Sequence, residues 1–148
     1  MALACVTVIA VTMMVLTAMM NVANAQWVNM NGLAASYDAS RNSVLSVGHE
    51  YSTGTVVAFV DNDDPVYNLG GDYRLVVDGR YVTLTGVNAG GAWVCAEILD
   101  SDVKTAVNML KNGSQVKLQF CSSYLNGCKT IFSSGLKDSA RTINNVIL

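Results

Sequence analysis

Few side chains in this chain have the type and spacing that catalysis requires. His49 is the only histidine, and a Ser-His-Asp or Cys-His site must use it because no other side chain has an unperturbed pKa near neutrality. It stands beside Glu50 in a glycine-bearing stretch, and the chain contains no G-x-S-x-G nucleophile motif. We interpret His49 as an exposed loop residue and predict no catalytic residues and no enzymatic activity.

Carboxylates are concentrated at Asp61, Asp63 and Asp64, as they are in calcium-binding loops. An EF-hand loop needs a glycine at its sixth position and a glutamate at its twelfth. Counted from Asp61, those positions hold Val66 and Asp72. We interpret the run as a solvated turn, with a calcium site as the alternative, and predict no metal ligands and no cofactor.

The cysteines indicate an oxidising compartment. Cys121 and Cys128 bracket a short loop that contains an Asn-Gly turn signal, with strand-like residues on both sides. This pattern predicts a β-hairpin with a disulfide across its mouth, and closing such a loop is worth about 2.5 kcal/mol in the chain-entropy model. Cys95 is left over as a buried free thiol, as an alternative disulfide partner, or as the link of a covalent dimer.

Tyr124 and Leu125 lie inside the disulfide-closed loop, where burial is difficult. Because aromatic side chains dominate recognition hot spots, we predict these two residues as the contact site for a protein partner. The alternative is that both fold back and cover the edge of the sheet. Trp93 and Tyr81 are expected to pack into the core or against a sheet face.

The clearest secondary-structure signal is a β-hairpin. Two runs rich in β-branched and aromatic residues, Tyr73–Val77 and Arg80–Thr85, meet at Asp78-Gly79, which is typical of a two-residue type I′ turn. Further strands are predicted at Val44–Val47, Thr55–Val60 and 92–98, and an edge strand at Gly32–Tyr37.

Two helices follow in the second half of the chain. An amphipathic stripe predicts the first, which Asp100 or Ser101 caps and which ends at Gly113; the stripe consists of Val103, Ala106, Val107 and Leu110. Apolar residues after Gly135 predict a short C-terminal helix through Leu136, Ala140, Ile143 and Ile147. With six to eight strands, the expected fold is mainly β and largely antiparallel, a β-sandwich or open barrel with two short helices.

The first residues of the chain have the composition of a targeting segment. Residues 2–20 carry no charge, and Ala23 and Ala25 suit a secretory cleavage site before Gln26. We predict a signal peptide at 1–25, with an uncleaved membrane anchor as the alternative, and one exported β-rich domain at 26–148. The net charge of -2 and the pI near 5.1 argue against a nucleic-acid-binding protein.

Residues 75–140 resemble the C-terminal half of the invasion-associated locus B (IalB-like) family of exported bacterial proteins. The matching order is a β-hairpin, a cysteine followed by alanine, a short helix with an L-x-x-G end, a strand and an S-x-x-G-x-x-x-A segment. In this chain those elements are Leu75–Gly79, Trp93–Ala96, Leu110–Gly113, Val116–Phe120 and Phe132–Ala140. The resemblance implies a periplasmic or surface-exposed, non-enzymatic protein linked to host-cell interaction.

These observations lead to one preferred function and two alternatives. We expect a small exported binding protein of the cell envelope or surface, located in the periplasm or secreted, with membrane association only if the N-terminal segment stays uncleaved. The second hypothesis is a periplasmic inhibitor or exclusion factor that acts on an envelope enzyme or an import machinery. The third is a secreted enzyme with an unrecognised carboxylate site.

Overall fold

The computed structural model describes residues 27–38, 43–50, 54–61, 71–90, 93–98 and 100–147. The predicted signal peptide, Asp63 and Asp64 lie outside these residues. The described part contains nine strands, two α-helices and one 3₁₀ helix, Ser123–Leu125. The strands are β1 (Val28–Met30), β2 (Leu33–Asp38), β3 (Ser43–Glu50), β4 (Gly54–Asp61), β5 (Asp72–Val77), β6 (Arg80–Gly90), β7 (Trp93–Ile98), β8 (Gln115–Ser122) and β9 (Gly127–Gly135), and the helices are α1 (Asp100–Asn112) and α2 (Ser139–Val146).

The expected six to eight strands were too few, because a hairpin near the start of the described chain was missed. Asn31 and Gly32 have φ angles of 50° and 83°, so they form a turn of the type I′ kind between β1 and β2. The predicted edge strand at Gly32–Tyr37 corresponds to β2, which lies between β1 and β3. Because β2 pairs with a strand on each side, it is not an edge strand, which corrects the prediction.

The strands form one antiparallel ladder in the order β1-β2-β3-β4-β7-β6-β5-β8-β9. Phe59 of β4 and Phe132 of β9 are far apart in this order, yet their rings meet edge to face with centroids 5.6 Å apart. The ladder therefore folds over into two facing layers with the core between them. No backbone pairing joins β1 to β9 among the described strands, so the sheet is open, and the prediction of a mainly β, antiparallel fold with two helices is confirmed.

Side-chain hydrogen bonds connect the two ends of the ladder, which are not joined by backbone pairing in the described part of the chain. Ser36 of β2 and Ser134 of β9 share a hydrogen bond between their hydroxyls. The Trp27 indole Nε1 donates to the carbonyl oxygen of Gly135 at 3.1 Å. These contacts join β2 and the residue before β1 to β9, the last strand of the ladder.

Helix α1 packs against β4 and α2, and its predicted apolar stripe is confirmed. Ala106, Val107 and Leu110 are buried, and Val103 is partly buried against the same core. The helix is tied to α2 by the Ser139 hydroxyl, which donates to the Leu110 carbonyl oxygen at 2.7 Å. Among the described residues, neither helix has the length and apolar composition needed to cross a membrane.

Gly113 follows α1 as predicted, for a steric reason. Its φ lies outside the left-handed region, but a Cβ at this position would lie 2.9 Å from the Met109 carbonyl oxygen and 3.0 Å from the Leu136 side chain. The glycine therefore allows the end of α1 to approach the core closely.

The Asp78-Gly79 turn between β5 and β6 is confirmed, with φ angles of 48° and 86°. The exposed Asp78 carboxylate accepts hydrogen bonds from the backbone amides of Ser114 at 2.9 Å and Gln115 at 3.3 Å. This side chain links the turn to the start of β8. The short C-terminal helix is confirmed as α2, although its buried face is formed by Ser139, Thr142 and Ile143.

Candidate functional site

The predicted disulfide is present at the end of the β8–β9 hairpin. Cys121 lies opposite Cys128 in the ladder, and their sulfur atoms are bonded at 2.04 Å. The loop beyond this bond, Ser122–Gly127, is called the hairpin tip below. Its ends are paired in the last rung of the ladder, so the bond and the strand pairing hold the tip from both sides.

Local hydrogen bonds shape the tip between its ends. The Ser122 hydroxyl accepts from the Tyr124 amide at 3.3 Å, as an N-cap does for the 3₁₀ helix. Asn126 adopts a left-handed conformation at φ 53°, and its amide donates to the Ser123 carbonyl oxygen at 3.3 Å. Because asparagine tolerates this conformation better than most residues, the sequence suits the observed turn.

The two predicted contact residues have different surroundings. Tyr124 is 74% exposed, which makes it the most exposed large hydrophobic side chain of the described chain. Leu125 is half-buried and packs against the core. We had expected both residues to be exposed or both to be buried. Instead, Leu125 packs the tip against the body of the protein, and the Tyr124 ring is exposed to solvent.

Tyr81 is the other large hydrophobic residue with high exposure in the described chain, at 55%. The Arg74 guanidinium carbon lies 4.7 Å from the centroid of its ring, a distance typical of a cation–π contact. Tyr81 thus lies on the outer face of the sheet, covered in part by an arginine. The side chain of Trp93 lies outside the described residues.

The residues considered for catalysis and metal binding are dispersed. His49 lies in β3, opposite Thr55, and is exposed; it is a strand residue, which corrects the predicted loop position. Asp61 is fully buried at the end of β4, so it is not part of a solvated turn. The described residues contain no group of three or more His, Cys, Asp or Glu side chains that could hold a metal ion. The side chain of Cys95 lies outside them.

Among the described residues, Tyr37 has a pKa that is shifted for a clear structural reason. Burial raises the pKa of Tyr37 above its usual range, and the neighbouring Asp38 carboxylate raises it further. Both effects disfavour the phenolate, so Tyr37 ionises only at a pH above its usual range.

A groove beside α1 was not expected from the sequence. It has a volume of about 400 Å³. Its lining residues are Thr55, Val103, Lys104, Val107, Asn108, Lys111 and Ile147. The helical periodicity of the sequence identifies the apolar side of α1. The groove also requires Ile147, whose position beside α1 is set by tertiary packing.

The fold and the tip define a small two-layer antiparallel β protein with a disulfide-closed hairpin. No family model matches the chain, and no curated protein matches its sequence. The structure is similar to the crystal structure of invasion associated protein B from Bartonella henselae, with a TM-score of 0.53 and 19% identity over 78% of this chain and 82% of that chain. At this identity the similarity is one of fold, and at that level it supports the resemblance of residues 75–140 to the IalB-like family.

Proposed function

We propose that this chain is a small exported binding protein without enzymatic activity, and that it contacts a protein partner through the hairpin tip. The observation that carries this proposal is the 74% exposure of Tyr124 on a loop closed by a disulfide. The similarity in fold to an invasion-associated protein supports a role in interaction. His49 and the buried Asp61 lie at opposite ends of the β3–β4 pairing, so these two residues do not form an acid–base pair.

The tip has the physical properties of a preorganised contact site. Its disulfide, its strand pairing and its internal hydrogen bonds reduce the number of conformations in the free protein. Less ordering entropy is then lost on association. Tyrosine suits such a position because it offers a large contact area with few rotatable bonds.

Inhibition is the second candidate function, which the run of exposed residues beside Tyr124 favours. The exposed residues run from Asn126 to Thr130 beside Tyr124, so one hairpin end could enter a cleft. Under this alternative the partner is an envelope enzyme or an import machinery, and its activity falls when the tip binds.

The Tyr124→Ala variant tests the contact role. Once a stoichiometric partner has been isolated from envelope or host-surface extract, we expect the variant to weaken its binding about thirtyfold, since hot-spot truncations cost about 2 kcal/mol or more. The melting temperature should stay unchanged because the ring touches solvent. Tyr81→Ala is the matched control, as it removes an exposed tyrosine from another surface. Equal affinities of the two variants would place the contact elsewhere.

Export with removal of residues 1–25 is a separate expectation. The uncharged run at 2–20 and the Ala23-Asn24-Ala25 sequence predict a mature chain that begins at Gln26. Terminal sequencing of protein recovered from the periplasm or medium checks this. Recovery of the full-length chain in the membrane fraction would instead support the anchor.

A further inference from the structure

We infer that the groove beside α1 binds an amphipathic anion, specifically a long-chain carboxylate. The groove combines an apolar floor with two lysines at its rim. It lies on the helical side of the protein and shares no residue with the hairpin tip. The inference is therefore independent of the proposed function.

The helix places the apolar and the basic residues in parallel rows. Val103 and Val107 are one turn apart, and Lys104 and Lys111 are two turns apart, a spacing of about 10.5 Å along the axis. Ile147, just past α2, contributes apolar surface to the same groove. An extended hydrocarbon chain lying along α1 would contact this surface and bring its end to one of the lysines.

The two lysines are free to meet an anion. Neither ammonium group makes an ion pair or hydrogen bond within the described residues. Lys104 is exposed and Lys111 is half-buried, so both can reach over the groove while their methylene stems cover apolar surface. Lys111 also lies in the last turn of α1, where a cation is favourable, and this placement holds its charge near the groove.

The groove is incompletely filled by the protein itself. Val103 and Ile147 are only partly buried, so their remaining apolar surface faces water in the free protein. The volume of about 400 Å³ falls within the range of about 300 to 1,000 Å³ that is usual for small-molecule sites. A ligand with an acyl chain would cover the apolar floor, and its carboxylate would pair with a lysine. A cationic amphiphile of equal length would be repelled.

Calorimetric titration of the full chain with dodecanoate, below its micellar concentration, tests the inference. Because either lysine can hold the carboxylate, the test variant removes both, Lys104→Gln with Lys111→Gln. We expect about tenfold weaker binding, because charged hydrogen bonds contribute most of the affinity for the head group. The matched control, Lys117→Gln with Lys137→Gln, removes two exposed lysines outside the groove and should change the affinity by less than about twofold.

Two comparisons make the outcome unambiguous. Dodecyltrimethylammonium should not compete, and higher salt should weaken dodecanoate binding to the unchanged protein. Association of dodecanoate with the apolar run at 2–20 would be the same in every variant, so it cannot produce the expected difference. Equal affinity of the two double variants, competition by the cationic amphiphile, or a lack of dodecanoate binding would overturn the inference.

Discussion

Replacing Leu110 with alanine is expected to lower the free energy of unfolding by about 2 to 5 kcal/mol. Leu110 is fully buried in the core beneath α1. Its truncation leaves a cavity where α1 packs against the sheet and α2, and close-packed interiors relax only in part around such a cavity. Chemical denaturation of the variant and of the unchanged protein measures the difference.

The matched control for this substitution is Asn108→Ala in the same helix. Asn108 is exposed, and alanine favours helix formation, so we expect a change within about 0.5 kcal/mol of zero. A loss below about 0.5 kcal/mol for Leu110→Ala itself would mean that α1 does not cover the core in solution.

Removal of the disulfide is the second change with a large expected effect. The double variant Cys121→Ser, Cys128→Ser should lose about 2.5 kcal/mol of stability, because the unfolded chain gains the freedom of an open loop. The strand pairing of β8 with β9 continues through the rungs below the tip, so the fold is expected to survive. Denaturation in the absence of reductant measures the loss.

A reducing agent is the control for the disulfide experiment. Reductant should bring the stability of the unchanged protein down to that of the double variant measured in the same reducing buffer. If the double variant is as stable as the oxidised unchanged protein, the hydrogen bonds of the tip already restrict the loop without the covalent bond.

Features of the fold that depend on residues close together in the sequence could be predicted from it. The Asp78-Gly79 turn follows from the positive φ angles that these residue types tolerate. The disulfide follows from two cysteines placed at matching ends of one hairpin. The stripe of α1 follows from helical spacing, since Leu110 and its neighbours lie on one face.

Features that depend on distant residues could not be predicted. The pairings of β4 with β7 and of β5 with β8 join strands whose order no local pattern specifies. The same holds for Leu125, because only the folded chain shows which side of the tip meets the core. The acidic run predicted that Asp61 lies in a loop. In the structure β4 extends as far as Asp61, and the residue is buried there.

One missed feature did have a local signal. The Asn31-Gly32 pair is a hairpin turn of the kind recognised at Asp78-Gly79, but the short β1 beside it hid the pattern. The close approach at Gly113 has no such signal, because a glycine at a helix end is equally compatible with a left-handed cap. Sequence patterns therefore located the tip, its exposed tyrosine and the helix, whereas the packing of Leu125 against the core came from the tertiary structure.

Site-specific photo-crosslinking at position 124 tests the central claim most directly. The substitution Tyr124→p-benzoylphenylalanine keeps a large aromatic group at the most exposed point of the hairpin tip. After illumination of intact cells or of the mixed partners, we expect one covalent adduct with a protein partner. The same group placed by Tyr81→p-benzoylphenylalanine, on the outer sheet face, should give none. An adduct at position 81 with none at position 124 would contradict the assignment of the tip as the binding site.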